Sequence, residues 1–307
     1  MDNVTVILLS GTHELYGSLF VKNVSNFTLL GVSGEPPVKI KCRGYVSSWF
    51  VGVLNLTITR IMFSQCGSFE WRPQRRMVTR SVLIFIDVFN LKMTWVVIRN
   101  STKEAICAVN VFGNSLIDHS NFETDFEAFL IGHGIKDTIF AQAFDTLWSD
   151  CIYIRYDNIN LTHNSHKFSG KLLPLLLAVN SHKLSIHNCV LKDSVSRSVS
   201  LNLHHAGYSV EQYLTNITIV NGSNKGGVRG DIHIEAESES NYHVAIRDSY
   251  FNHSRGCAIS LHLQRGYLFQ TIHVINTIID KSAAGILIHD WSSPGNEDTM
   301  IYPQIIP

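Results

Sequence analysis

The chain has 307 residues, 25 Lys plus Arg against 25 Asp plus Glu, 45% apolar residues and only 16% charged ones. Balanced charge argues against a nucleic-acid partner, whose binders carry basic faces. No apolar run approaches the ~18 residues of a membrane-spanning helix; the longest, Leu172–Val179, includes Pro174.

Val4–Leu9 reads as a strand closed by Ser10-Gly11-Thr12-His13, and Leu19–Val21, Phe27–Leu30 with Gly31, and Val38–Ile40 follow as further short strands. At Ile58–Phe63 a pattern begins, Ile-x-x-(Ser/Thr/Cys)-x-(Phe/Leu/Ile), which returns at Met93–Ile98, Ile117–Phe122, Ile186–Leu191, Ile246–Phe251 and Val274–Ile279, with a shortened copy from Ile219. Successive starts lie 35, 24, 69, 33, 27 and 28 residues apart, and the gap of 69 has room for a degenerate copy around Ile135 or Ile154. The clearest stretch is Val244–Leu263, with Ile246, Phe251, Ile259 and Leu261 as apolar pegs.

Periods of this size mark stacked supersecondary units. Helical units would place apolar residues at i, i+3, i+4 and i+7 over ten or more positions. Here the runs are short, alternating, rich in β-branched and aromatic residues, and closed by Gly, Asn, Ser or Asp, which is strand and turn chemistry. The pattern predicts an all-β parallel β-helix of roughly ten coils, about three strands to a coil and ~4.8 Å between coils. No coil buries its own pegs, so stability comes from neighbours. A column of Asn188, Asn221, Asp248 and Asn276 suggests side-chain hydrogen bonds along the axis at one turn.

The repeat crosses every plausible boundary, so residues 1–307 are expected to form a single solenoid, itself a fragment of a longer chain. Residues 68–80 (SFEWRPQRRMVTR) are its one basic insert, a projecting solvated loop carrying Trp71, Arg72, Arg75, Arg76 and Arg80. Phe122, Phe126, Phe129, Phe140 and Phe144 crowd a blurred section and are expected to fill core. Six cysteines permit disulfides. Cys42 and Cys66, 24 residues apart, have the spacing to face each other across one coil. Cys189 reads as a small buried apolar residue, and without a Cys-x-x-Cys there is no zinc site of that kind.

The entry segment, VTVILLSGTHEL, VSNFTLLGVSG, VKIKC and LTITRIMF, resembles the opening coils of right-handed β-helix repeat proteins of the pectate-lyase-like superfamily, in particular uncharacterised extracellular ones of simple animals. The resemblance covers nearly the whole chain and concerns a repeat grammar rather than a catalytic signature. It implies that the β-helix is single-stranded and right-handed. It also raises the question of polysaccharide cleavage. The polygalacturonase-like branch carries Asn-Thr-Asp, Asp-Asp, Gly-His-Gly and Arg-Ile-Lys; this chain has Gly132-His133-Gly134 and Ile154-Arg155-Tyr156, but neither Asn-Thr-Asp nor Asp-Asp. Glycoside hydrolysis needs two positioned carboxyl groups, and the lyase branch needs acids that hold calcium, for which no column of paired acids is found. No catalytic residue, cofactor or metal is expected.

Two polar features remain. Alternation along 231–239 puts His233, Glu235, Glu237 and Glu239 on one face and Ile232 and Ile234 inward. Aligning coils by their pegs sets Asn202, Glu235, His262 and His289 in one outward column, a candidate ligand site together with His233, or else a solvated sheet face. Arg229-Gly230-Asp231 offers an adhesion-type tripeptide. Asn-x-Ser/Thr occurs at Asn3, Asn23, Asn26, Asn55, Asn100, Asn160, Asn216, Asn221 and Asn252, where chance gives roughly three or four; Asn221 is the doubtful acceptor because of its ladder position. This excess points outside the cell or to its surface, although Met1-Asp2-Asn3 opens no secretory leader. The expectation is a non-enzymatic extracellular recognition or adhesion β-helix, its partner a glycan or a protein. The alternatives are a diverged polysaccharide lyase or glycoside hydrolase on the same fold, and a structural spacer.

Overall fold

Alternating apolar and polar residues make strands with one dry side, and in the computed structural model every described element is a strand, 29 of them from Val4–Leu8 to Ala284–Asp290. The structure describes residues 3–34, 36–43, 46–66, 81–101, 105–124, 129–132, 154–157, 160–163, 176–179, 183–192, 194, 197–203, 209–222, 230–236, 241–263 and 270–290. No helix among them is long and apolar enough to cross a membrane. The pairings are parallel, each strand bonding to its equivalents one winding earlier and one later. This is a parallel β-helix.

One winding consists of β24 (Asn241–Arg247), β25 (Tyr250–Asn252) and β26 (Cys257–Leu263), and the next of β27 (Gln270–Ile275), β28 (Ile278–Asp280) and β29 (Ala284–Asp290). Ile246 lies against Val274, Phe251 against Ile279, Ile259 against Ile286 and Leu261 against Ile288. The pegs of the repeat are therefore the lumen: Ile246, Phe251 and Ile259 are fully buried and Leu261 nearly so. Stacked equivalents give three faces. The second is a ten-stranded sheet from β2 (Gly11–Leu15) to β28. The first and third join into one sheet because β9 (Leu83–Thr94) runs through both. Its residues 83–86 pair with β6 (Ser48–Val51) on the third face, and residues 89–94 pair with β7 (Leu54–Thr59) on the first.

The register locates copies that the motif left unplaced. Ile186 pairs with Leu214, which pairs with Ile246, so that winding's copy starts at Leu214; Ile219 is its second-face peg, between Leu191 and Phe251. The copy in the long gap starts at Tyr156, between Ile117 and Ile186. Within the lumen, Phe27, Phe50 and Phe85 form a column with ring centroids 6.1 and 5.5 Å apart. Each such ring contributes ~1.5–3 kcal/mol by leaving water.

Turning between faces uses left-handed backbone: one residue at the corners on either side of the second face, and two where the third face meets the first, as at Asn23 and Asn26. Among the described residues seventeen other than glycine have φ between 46° and 60°, and nine of them are asparagine. Asparagine tolerates that conformation best among residues with a side chain, and its amide then bonds along the axis. Asn55 Nδ2 donates to Asn26 Oδ1 at 2.8 Å, and Asn90 Nδ2 to Asn55 Oδ1 at 2.9 Å. At another corner Asn216 donates to Asn188 at 2.8 Å and Asn276 to Asp248 at 3.2 Å. Asn216, not Asn221, thus stands in the predicted column; Asn221 follows β22 (Thr218–Val220), at the next corner. Cys42 and Cys66 form a disulfide between consecutive windings, with Cα atoms 4.8 Å apart. Cys107, Cys189 and Cys257 are buried. Residues 68–80, Cys151, His133 and the side chains of Phe126, Phe129, Phe140 and Phe144 lie outside the described residues, while Phe122 is fully buried.

Phe85→Ala removes a fully buried ring stacked on Phe50, and the loss expected is about 3–5 kcal/mol in urea denaturation followed by circular dichroism. A loss below ~1 kcal/mol would place Phe85 outside a packed lumen.

Candidate functional site

The candidate column lies on the third face, across β20 (Val199–Leu203), β23 (Ile232–Ala236), β26 and β29. The backbone register aligns Asn202 with Glu235, Glu235 with His262, and His262 with His289. His233 belongs to the adjoining column, between Ser200 and Ser260. The side chains of Asn202 and His289, and residues Glu237 and Glu239, lie outside the described residues.

The expected solvent exposure does not hold for the histidines: His233 is 0% and His262 5% exposed, and the Glu235 side chain is 18% exposed. Ile232 and Ile234, on the opposite side of the same strand, are also fully buried. The sheet here is dry on both sides, and its polar groups must find partners in the protein. Ser260 Oγ accepts the Gly230 N–H at 2.6 Å and lies 2.8 Å from His233 Nδ1, while His233 Nε2 faces Glu235 Oε2 at 3.4 Å. The rings of His233 and His262 meet edge to face with centroids 4.6 Å apart. Arg197 Nη1 donates to Ser200 Oγ at 2.8 Å. Serine, imidazole and carboxylate stand in the order of a hydrolytic triad. Because Ser260 and His233 are wholly enclosed, the line has no substrate access and acts as a packed polar layer. Among the described residues no three His, Cys, Asp or Glu are grouped to hold a metal.

Asp231 anchors one end of this layer. It is 1% exposed and accepts a hydrogen bond from Ser254 Oγ, and its backbone carbonyl takes the N–H groups of Ser198 and Val199 at 2.8 and 2.9 Å. A Cβ on Gly222 would run into the Asp231 carboxylate, so any larger residue there has to displace that group. Burial pushes the Asp231 carboxyl up to about 6 against the lowering effect of Ser254, and burial likewise pushes the Cys257 thiol up to about 11. An enclosed Asp231 takes the carboxylate of the Arg-Gly-Asp tripeptide away from any receptor.

A second site, not anticipated from the sequence, occupies the corner between first and second faces. Where later windings place Asn188, Asn216, Asp248 and Asn276 at the left-handed position, three earlier ones place Arg60 (φ 58°), Trp95 (φ 58°) and His119 (φ 46°). Trp95 is 57% exposed, and its ring stacks on His119 with centroids 4.4 Å apart and planes 26° off parallel. His119 Nδ1 is held 2.7 Å from Asp118 Oδ2, which orients the imidazole beneath the indole. Beside them opens a groove of about 270 Å³ whose described lining includes Val32, Pro37, Met62, Val97, Arg60 and Trp95. Its far wall is the connection between the strands Ser25–Gly31 and Val38–Cys42, through Val32, Ser33, Gly34 and Pro37. Gly31 lets this connection approach, since a Cβ there would meet the Arg60 carbonyl oxygen at 2.0 Å. The signal in the sequence was the third position of the repeat, where Trp95 stands in register with asparagines.

No protein-family model and no curated protein matches the chain. Among solved structures it resembles the catalytic domain of a GH87 alpha-1,3-glucanase variant in complex with nigerose, at 11% identity over 94% of this chain and 64% of that one, with a TM-score of 0.45. It also resembles the A-module of the Azotobacter vinelandii mannuronan C-5 epimerase, at 10% identity over 95% and 91% of the two chains and a TM-score of 0.41. A third is the Streptococcus pneumoniae surface protein and adhesin PfbA, at 8% identity over 93% and 91% and a TM-score of 0.28. This chain therefore spans 64% of the length of the glucanase domain. The fold stands on the strand pairings given above.

The raised carboxyl of Asp231 has a definite sign in solution. The native state holds this proton up to about pH 6 and the unfolded chain releases it near the ordinary value of 3.8. The contribution to stability is therefore full below the unfolded value and is lost as pH rises through the folded one. The unfolding free energy of the natural protein is expected to fall by about 1–3 kcal/mol between about pH 4 and pH 7 relative to Asp231→Asn. Parallel pH profiles of the two proteins would remove Asp231 as the cause.

Proposed function

We propose that this protein is a non-enzymatic, extracellular or cell-surface recognition β-helix whose ligand is a glycan, taken up at the groove beside Trp95. The observation that carries this reading is the exposed indole at a left-handed corner. An L-residue other than asparagine or glycine in that conformation gives up ~1–2 kcal/mol, and strained positions concentrate at functional sites. Trp95 offers no compensating burial, being 57% exposed. Its ring is instead a flat apolar plate held rigid by His119, with Arg60 one winding away as a hydrogen-bond donor. Aromatic side chains with a polar handle are the usual anchors of binding surfaces.

A groove of about 270 Å³ lies just under the ~300–1,000 Å³ of drug-sized ligand sites. That size suits a sugar ring or a chain terminus better than a protein epitope, which needs ~1,000 Å² or more of buried interface. Among the described residues of the groove none is a carboxylate, and glycoside hydrolysis requires two.

Titration of a glycan panel followed by tryptophan fluorescence tests the reading. At least one glycan is expected to bind, and Trp95→Ala is expected to weaken it at least ~10-fold, the equivalent of about 1.4 kcal/mol, with no new reducing ends or unsaturated sugars formed. Binding unaltered in Trp95→Ala, no glycan bound, or turnover of a polysaccharide would each overturn it.

A further inference from the structure

The corners carry a second signal, independent of Trp95. Nine asparagines among the described residues have left-handed backbone, and six of them (Asn23, Asn26, Asn55, Asn100, Asn216 and Asn221) are followed two residues later by Ser or Thr. The fold alone supplies a reason to expect this. The residue two beyond a corner faces outward on the next strand, as Thr28, Thr57 and Thr218 do, and outward strand positions favour threonine. If that were the whole cause, corners without asparagine would show the same hydroxyl. Eight other described residues, glycine aside, share the conformation, and none of these has Ser or Thr at that spacing. Arg60 is followed by Met62, Trp95 by Val97, His119 by Asn121 and Asp248 by Tyr250. The hydroxyl goes with the asparagine and not with the corner.

We infer that the corner asparagines are N-glycosylation sites, and that their glycans crowd the other two corners of the rod while leaving the Trp95 corner bare in the windings around Trp95. Asn23, Asn55, Asn100, Asn216 and Asn221 are exposed, whereas Asn26 is half-buried. Asn23, Asn26 and Asn55 lie between third and first faces; Asn100 and Asn221 lie between second and third. Only Asn216 shares the corner of Trp95, four windings further on, about 19 Å along the axis at ~4.8 Å per winding. Glycosylation replaces one hydrogen of Nδ2 and leaves the other, so Asn55 keeps its single bond to Asn26. Those two stand on adjacent rungs, too close for a branched glycan on each, and only one of the pair is modified. Asn252 is not a site: it is half-buried in β25, with an Oδ1 that is enclosed and without a hydrogen-bond partner. The bare corner rests on the reading of Trp95 as the ligand platform; the modification itself does not.

The test is to secrete the chain from a eukaryotic cell behind a heterologous leader, release N-glycans enzymatically in heavy-oxygen water, and map the labelled aspartates by mass spectrometry. Label is expected at Asn23, Asn100, Asn216, Asn221 and one of Asn26 and Asn55, and none at Asn252. Thr57→Ala and Thr218→Ala, which leave the corner asparagines in place, probe the outer pair and Asn216. Thr218→Ala is expected to remove one glycan mass, and Thr57→Ala to remove one or to shift it to Asn26. A secreted, folded protein without glycan at these corners, or with label at Asn252 in their stead, overturns the inference. Sugar binding by bacterially produced protein, which bears no N-glycan, reports on Trp95 separately.

Discussion

A chain that winds on itself in register must turn at each corner without displacing the next winding, and it does so by holding a residue in the left-handed conformation. The parallel pairing of Ile246 with Val274 and of Phe251 with Ile279 exists only because Asp248 and Asn276 turn the chain alike, at φ 51° and 48°. Slippage by one residue would carry every peg from the lumen to solvent. Corner geometry and lumen packing therefore hold each other in place. The amide ladders, each bond worth ~0.5–1.5 kcal/mol net, satisfy groups that a tight turn leaves open.

That constraint makes the corners informative. The side chain of a left-handed residue points away from the lumen and carries little packing duty, so its identity is chosen by backbone tolerance or by something outside the fold. Asparagine answers the first demand in nine cases. Of the eight described residues that are not asparagine, Arg60, Trp95 and His119 occupy three consecutive windings of one corner beside a groove. The third face departs from the plan in a different way. Its outward residues Ser200, His233, Ser260 and His262 are enclosed, and they form a polar layer that packs rather than meets a ligand.

The lumen was legible because alternation has a period of two and the pegs fix its parity; Ile58, Ile186 and Ile246 are buried where the repeat put them. The register of Asn202, Glu235, His262 and His289 followed from the same pegs. Leu214 escaped because leucine stands there for isoleucine and Ile217 for the small polar residue. The burial of His233 and His262 was not legible, since what encloses the outer side of a sheet is a tertiary matter that strand periodicity does not encode. Trp95 was hidden differently. Its position in the repeat was in plain view, but only a backbone angle reveals that the position asks for asparagine, and so that tryptophan there goes against the fold.

The central claim is that Trp95 serves something other than the stability of the rod. Thermal unfolding of Trp95→Asn tests it most directly, because asparagine is what the other windings use at that corner. The account predicts a melting temperature equal to or above that of the natural protein. A clear drop, several degrees or more, would mean that the indole holds the windings together, and the corner would then be structure and not a binding platform.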